Sequence, residues 1–344
     1  MKTIRIGLVG AGANTRLRHL PGFRAIEGVE VVAVANRTLR SAQAVAAEFA
    51  IPRVHSHWQA VVDDSGIDAV CIGTWPNLHA EVTCAALRAG KHVLCEARMA
   101  ASVVEARQML RTLQVTAKVG MLVPSPFGMK GDVVVREWVA ERLGQVREIY
   151  VRALTSGMAD PTTPLHWRQR AELSGVNVLV LGILNETVAR WFGRTESVAA
   201  QTALFTPRRV DAETGFAQDV DVPDSVVVVA RMSSGAQCLY HVSGQAHHGG
   251  PMRIEAFGTG GTIVYNLADD TIQAAGASEA ALVPLPIPED KAQGWRVEAD
   301  FIDAIRDRRP VTMTSFVDGL KYMCFTEAVH RSAATARRVN LAEV

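Results

Sequence analysis

Residues Ile4 to Thr15 read IRIGLVGAGANT, and this stretch decides the fold class. A run of β-branched and apolar residues breaks into Gly10-Ala11-Gly12-Ala13-Asn14-Thr15, after which a helical pattern begins. A strand that turns on glycine into a helix directs backbone N–H groups and the positive end of the helix dipole at one point, which suits a pyrophosphate. Gly10 permits the tight turn, Gly12 lets phosphate oxygens approach the main chain, and Ala13 and Asn14 continue the cradle. Thr15 replaces the third glycine of the usual pattern and loosens the match. The opening MKTIRIGLVGAG carries two positive charges before an apolar run, as a signal peptide does, but the glycine turn makes it a first β-strand.

Outward from this turn, short β-branched runs alternate with amphipathic stretches as far as Met121. Strands are predicted over Ile4–Val9, Val29–Ala35, Ala69–Gly73, His92–Cys95 and Lys118–Met121, with helices over Ser41–Phe49, Leu78–Ala89 and Val103–Leu113. Such alternation implies βαβ units and a doubly wound parallel sheet, and the continuous apolar strands agree with burial on both faces. After a bend around Pro124 and Pro126 the pattern changes. A helix (Met129–Ala140), a strand (Val146–Ala153), a loop rich in Pro and Thr, and a second helix (Ser174–Trp191) are followed by a series of strands. Those strands, Val198–Phe205, Ser225–Met232, Ala236–Ser243, Arg253–Phe257 and Thr262–Tyr265, are joined by short turns and predict a mostly antiparallel open-faced sheet. Helices near Arg296–Arg306 and Val317–Ala336 close the chain. The expected architecture is α/β, with a dinucleotide-binding domain over residues 1–122 and a substrate-binding and oligomerisation domain over 123–344, the final helices being able to return to the first domain.

The composition excludes several function classes. The 344 residues are 48% hydrophobic and 21% charged with a net charge of +1, which gives no electrostatic case for binding nucleic acid or an anionic membrane. No apolar stretch reaches the roughly 20 residues that span a bilayer. The five cysteines are scattered without a C-x-x-C pair, and no histidine cluster has ligand spacing, so no metal site is expected. Reduced thiols in a cytoplasm are the natural reading.

Two further strand ends bear on the cofactor. The second strand ends Ala35-Asn36-Arg37-Thr38, where an acidic side chain would accept from the ribose hydroxyls of NAD. Asn36 is neutral, and Arg37 with Thr38 suits a 2′-phosphate, so NADP is expected over NAD. Gly73-Thr74-Trp75-Pro76-Asn77-Leu78-His79 follows another strand at the carboxyl edge, with Trp75 and Pro76 placed to flank the nicotinamide ribose. Asn77 is expected to cap the following helix, and His79 is counted with this cofactor surface although a structural role suits it equally.

With these segments in view, the chain resembles the Gfo/Idh/MocA oxidoreductases. The resemblance is carried by IGLVGAGANTRLRHLPGF (6–23), TWPNLHAEVTCAALRAGKHVLCE (74–96) and FIDAIRDRRPVTMTSFVDGLKYMCFTEAVHRSA (301–333), with LGQVREIYVRA (143–153) and SGVNVLVLGILNETVARWFG (174–193) between them. It implies a Rossmann domain, an open-faced α/β domain often used for homo-oligomerisation through its sheet, and a small-molecule substrate. It also exposes three departures. The family's E-K-P lysine falls on Ala97, while Glu96 is retained. The aspartate and histidine of D-x-G-x-H fall on Val180 and Leu184. A hydroxyl oxidation needs a base within reach of the proton, and none of these three side chains is one.

Three residues are weighed as replacements. Arg98 adjoins the lost lysine and could polarise a carbonyl, though a guanidinium is a poor acid or base. Asn177 lies seven residues before Leu184, about two turns along the expected helix and therefore on the same face. His166, in the loop His166-Trp167-Arg168, has the side chain best suited to proton transfer near neutrality. Glu186 is expected in a solvated or interface salt bridge, and His247-His248 in a sheet-edge loop. Two functions follow: an NAD(P)-dependent oxidoreductase of this family acting on a small carbonyl, sugar or polyol-like substrate with a non-standard pocket, or a non-catalytic dinucleotide-binding regulator or sensor.

Overall fold

The computed structural model describes residues 3–124 and 129–344; Pro126, part of the expected bend, lies outside the described residues. In chain order the elements are β1 (Ile4–Val9), α1 (Leu20–Arg24), β2 (Val29–Ala35), α2 (Leu39–Glu48), β3 (Arg53–His55), α3 (Trp58–Asp63), β4 (Ala69–Ile72), α4 (Pro76–Arg88), β5 (His92–Cys95), α5 (Val103–Gln114) and β6 (Gly120–Leu122). There follow α6 (Asp132–Glu141), β7 (Val146–Leu154), α7 (Ala171–Ser174), α8 (Leu181–Phe192), β8 (Thr195–Ala203), β9 (Arg208–Val210), β10 (Ala217–Asp219), β11 (Ser225–Met232), β12 (Gln237–Ser243), β13 (Arg253–Gly258), β14 (Gly261–Asn266), β15 (Thr271–Gly276) and β16 (Val283–Leu285). The chain ends with α9 (Val297–Asp307), α10 (Phe316–Thr335) and β17 (Val339–Asn340). A π-helical turn over Thr15–His19 links the glycine loop to α1.

Two compact units result, one formed by 1–124 with 296–320 and the other by 125–295 with 321–344. In the first, six parallel strands lie in the order β3-β2-β1-β4-β5-β6. Every residue of β4 is buried, as two-sided burial requires. The short β3 and α3 were not read from the sequence, because Arg-Val-His offers no apolar run. In the second unit nine strands run in the order β16-β15-β14-β13-β7-β12-β11-β8-β17. All neighbours are antiparallel except β7 and β12, which pair in parallel.

One face of this second sheet is covered and the other open. Along β11, Val226, Val228, Ala230 and Met232 are buried while Val227, Val229 and Arg231 are exposed, the alternation of a half-covered strand. On the covered side Asn185 of α8 donates to the Tyr240 hydroxyl at 3.0 Å, and the Tyr240 ring meets Phe325 of α10 at 5.2 Å.

The expected helix Ser174–Trp191 is broken. α7 stops at Gly175 (φ +64°), Leu179 is left-handed (φ +46°), and α8 starts only at Leu181. Val176, Val178 and Val180 are β-branched and lose rotamer freedom in a helix, so the apolar pattern there was helical in spacing but not in conformation. Glu186, expected in solvent or at an interface, is 6% exposed and accepts from Arg190 at 2.7 Å. Arg190 also donates to Asp132 Oδ1, as does the Trp191 indole, both at 2.8 Å, and Arg136 pairs with Asp132 Oδ2 at 3.0 Å. Asp132 thus joins α6 to α8 through buried charge. Removing one partner of such a group strands the other. Asp132→Ala is expected to cost about 3 kcal/mol in urea denaturation; a wild-type midpoint would contradict this account.

Candidate active site

Strand order reverses between β1 and β4, and in open α/β sheets ligands bind in the crevice outside the carboxyl ends at that point. The glycine loop occupies it. Gly10 has φ +83°, and a Cβ there would lie 2.7 Å from the backbone nitrogen of Thr74. Gly10 donates to Ala35 and Gly73 to Val9, both at 2.8 Å, so each strand passes a hydrogen bond into the next loop. A Cβ on Gly12 would meet only the Gly73 carbonyl, at 3.8 Å; its glycine is therefore not demanded by the protein around it. Thr15 is 1% exposed, and its hydroxyl closes the loop on the Gly10 carbonyl at 3.3 Å.

Both ends of the loop are fixed by side chains. Asn36, at the end of β2, accepts from the Ala11 N–H at 2.7 Å. On the other side the Asn14 amide donates to Glu96 Oε1. Glu96 also accepts from the Ala97 N–H at 3.1 Å and from His19 Nε2 at 3.0 Å, and the second ring nitrogen of His19 donates to Glu298 of α9. Burial alone would lower the pKa of the fully buried His19, but the two carboxylates outweigh it and hold the value up at about 9. Burial would likewise raise Glu96; its bonds from His19, Asn14 and Ala97 keep it below the usual carboxylate range. Neither His19 nor Glu298 stood out in the sequence, since their partnership spans 279 positions.

Arg37 is exposed with its guanidinium 5.6 Å from the centroid of the Trp75 ring. Thr38 accepts from Ser41 N at 3.2 Å as the N-cap of α2, so helix capping already engages its hydroxyl. The cap of α4 differs from expectation: Trp75 is the N-cap without a side-chain bond, Pro76 takes the first turn, and Asn77 is already inside the helix. Asn77 Oδ1 is buried and accepts no hydrogen bond among the described residues. His79 is 1% exposed, with Nδ1 2.8 Å from the Arg98 carbonyl and Nε2 3.1 Å from that of Thr74. It ties together the loops after β4 and β5, and burial pushes its pKa down. Arg98 itself is 3% exposed, following a cis Ala97–Arg98 peptide.

The remaining sequence-derived residues lie in the second unit. His166 is exposed and caps a single 3-10 turn, its Nδ1 accepting from Arg168 N at 3.2 Å. Burial of part of the ring and the nearby Arg168 charge lower its pKa. The Arg168 guanidinium stacks 4.3 Å from the Trp167 ring centroid. Asn177 does not share a helix face with Leu184, because the backbone between them is broken; its amide donates to the Ser174 carbonyl at 2.6 Å within the turn. Leu184 is fully buried. Sequence reasoning missed Arg209, 2% exposed, which donates to the carbonyls of Met158, Asp160 and Thr163 and so holds the loop that leads to His166. No group of three or more His, Cys, Asp or Glu side chains able to hold a metal occurs among the described residues.

The first unit fits a dinucleotide on two observations: the space in front of Gly12, and the orphaned Asn77 oxygen at the same sheet edge. The two loop glycines should behave differently. Gly10→Ala forces a methyl against backbone at a positive φ and is expected to cost about 1–2 kcal/mol of stability. Gly12→Ala should melt within a degree or two of wild type (roughly ±0.5 kcal/mol). Equal melting losses in the two variants would refute this assignment.

Comparison with known proteins agrees with this geometry. Residues 4–123 match the oxidoreductase family with an NAD-binding Rossmann fold (Gfo/Idh/MocA), and residues 133–264 match the Gfo/Idh/MocA C-terminal domain. Levoglucosan dehydrogenase of Pseudarthrobacter phenanthrenivorans is 26% identical over 391 positions, covering 100% of both chains. Inositol 2-dehydrogenase of Rhizobium meliloti is 28% identical, covering 99% of this chain and 100% of its own. A levoglucosan dehydrogenase structure in complex with NADH and L-sorbose superposes with a TM-score of 0.90 at 24% identity, covering 98% of this chain and 99% of that one, a likeness of fold. The chain belongs to the Gfo/Idh/MocA family of oxidoreductases, with its NAD-binding Rossmann fold.

Proposed function

We propose that the chain is an NAD(P)-dependent oxidoreductase acting on a small carbonyl, sugar or polyol-like substrate, with a polar set other than lysine, aspartate and histidine. The observation that carries this reading is the glycine loop, held at Ala11 by Asn36 and at Asn14 by Glu96 with Gly12 facing open space. Gly10, Gly12, Ala13 and Asn14 would cradle the pyrophosphate, and Thr74, Trp75, Pro76 and Asn77 would border the nicotinamide half. Bound there, the dinucleotide supplies or accepts a hydride.

His166 favours the reductive direction. Its Nδ1 accepts a backbone N–H, so the neutral ring carries its proton on Nε2 and offers a donor rather than a free base. A neutral imidazole donor polarises a carbonyl oxygen and stabilises the anion that develops when hydride arrives. Arg98 is the second polar group in this reading, acting by charge. Asn177 remains a weaker third, since its amide serves the turn. Substrate recognition, a cytoplasmic location and homo-oligomerisation through the open sheet face belong to the same proposal; no helix among the described residues is long and apolar enough to cross a membrane.

For the cofactor, Arg37 supports NADP: an exposed guanidinium beside Trp75 suits a 2′-phosphate, and Asn36 brings no carboxylate to compete for ribose hydroxyls. One observation supports the alternative of a non-catalytic sensor, namely the methyl group of Ala97 where the family places its lysine. Tryptophan fluorescence titrated with NADPH and NADH tests the first claim, and failure of both to bind defeats it. Arg37→Ala is expected to weaken NADPH by about tenfold and NADH far less. Given binding, turnover of aldehydes, keto sugars or imines that is abolished in His166→Ala supports the enzyme, whereas turnover that survives in His166→Ala but is lost in Arg98→Ala moves the polar centre to Arg98.

A further inference from the structure

We propose that His19 is a positioning residue whose charge controls dinucleotide affinity, and that Glu298, far along the chain, sets that charge. The inference rests on the dinucleotide reading of the glycine loop. It starts from geometry. His19 is fully buried in the π-helical turn that follows the loop, and each of its ring nitrogens faces a carboxylate oxygen, Glu96 from the end of β5 and Glu298 from the first turn of α9. Two carboxylates can accept from two nitrogens only if both carry hydrogen, so the ring is an imidazolium. Glu298 is itself 2% exposed, and a Cβ on Gly22 would lie 2.4 Å from its Oε2. Glycine at 22 makes room for the carboxylate, which is built into the site rather than resting on it.

The charges sum to −1: two carboxylates and one imidazolium. Of the neighbouring groups, the Cys71 and Cys95 thiols and the His79 ring stay neutral, because burial pushes the thiols up and the ring down, and Asp300, beside Glu298, is paired with Arg296 at 3.4 Å. Glu96 in turn holds Asn14. When His19 loses its proton, the buried charge becomes −2 immediately behind a loop that must receive an anionic pyrophosphate, and Glu96 loses a donor that helps fix it. Asn36, holding the loop at Ala11, carries no charge and does not compensate. Affinity therefore falls at alkaline pH through the His19 arm of the loop.

The sign follows from linkage. The folded pKa of about 9 lies above the ordinary histidine value of 6.5. The stabilising contribution of the imidazolium is complete below about 6.5 and is lost as pH rises through about 9. Deprotonation lowers affinity by the same factor by which a bound pyrophosphate favours the charged ring, about tenfold for one pH unit of coupling.

The test is a fluorescence titration of the full chain with NADH, which carries no 2′-phosphate to titrate, at a series of pH values from 6 to 10 (roughly the window set by the shift). Wild type should show constant affinity at low pH and a three- to tenfold loss through a break near 9 (order of magnitude). In Glu298→Gln one of the two carboxylates is gone, and the break should move down by roughly 1–3 units. In His19→Gln no break should remain. A variant that merely loosens the fold would bind less well at every pH and leave the break in place, and that outcome overturns the proposal. Ring nitrogen chemical shifts of His19 in wild type give an answer independent of any variant: a ring that becomes neutral by pH 7 also overturns it. Should neither NADH nor NADPH bind at any pH, the dinucleotide reading falls and this inference with it; binding without a break removes this inference alone.

Discussion

A parallel sheet buried on both faces leaves no room for chemistry along its strands. In β4 and the apolar part of β5 every side chain is enclosed, and an unpaired polar group there would be penalised by several kcal/mol (order of magnitude). Polar function is therefore pushed to the strand ends, where backbone N–H groups remain unspent and loops diverge. Glycine loop, Asn36, Thr74 and Glu96 all stand at carboxyl ends of strands for this one reason. The polar contacts among them then follow: once several hydrogen-bonding side chains share a small edge next to an apolar layer, they must satisfy one another.

The sequence revealed the parts of the molecule governed by short-range rules. Alternating β-branched and amphipathic runs located most of the first sheet, and the glycines of residues 10–12 located the loop. Short turns in the second half gave an antiparallel sheet. What escaped was set by long-range partners. β7 pairs in parallel with β12 and antiparallel with β13, a choice no local pattern encodes. The strands Arg208–Val210 and Ala217–Asp219 are too short and too polar to carry a period. In Val176–Val180 the apolar residues had the right spacing for a helix, yet β-branching and the left-handed Leu179 prevailed. That misreading also removed the ground on which Asn177 was placed beside Leu184.

The same division holds in the site. The absence of lysine, aspartate and histidine at 97, 180 and 184 was visible at once, because an absence at a known spacing is local information. The environment of what remained was not. Whether His79 serves a ligand or a pair of carbonyls, and whether Thr38 is open or capping a helix, depends on backbone atoms brought together by folding. His19 shows the limit most clearly: its meaning comes from carboxylates at positions 96 and 298, and neither partner announces itself without the fold.

The return of α9 to the first unit has a consequence for biosynthesis. The first 124 residues contain all six strands of the parallel sheet, and they leave the ribosome well before residues 296–320 exist. During that interval His19 has Glu96 but not Glu298, and the cavity beside Gly22 is unfilled. The nucleotide domain thus lacks this partner while residues 125–295 of the other unit (roughly 10–35 s at ordinary elongation rates) are made. Its last ion pair closes only once α9 has been made, so the maturation of the loop depends on a segment encoded after strands β7 to β16 of the second unit.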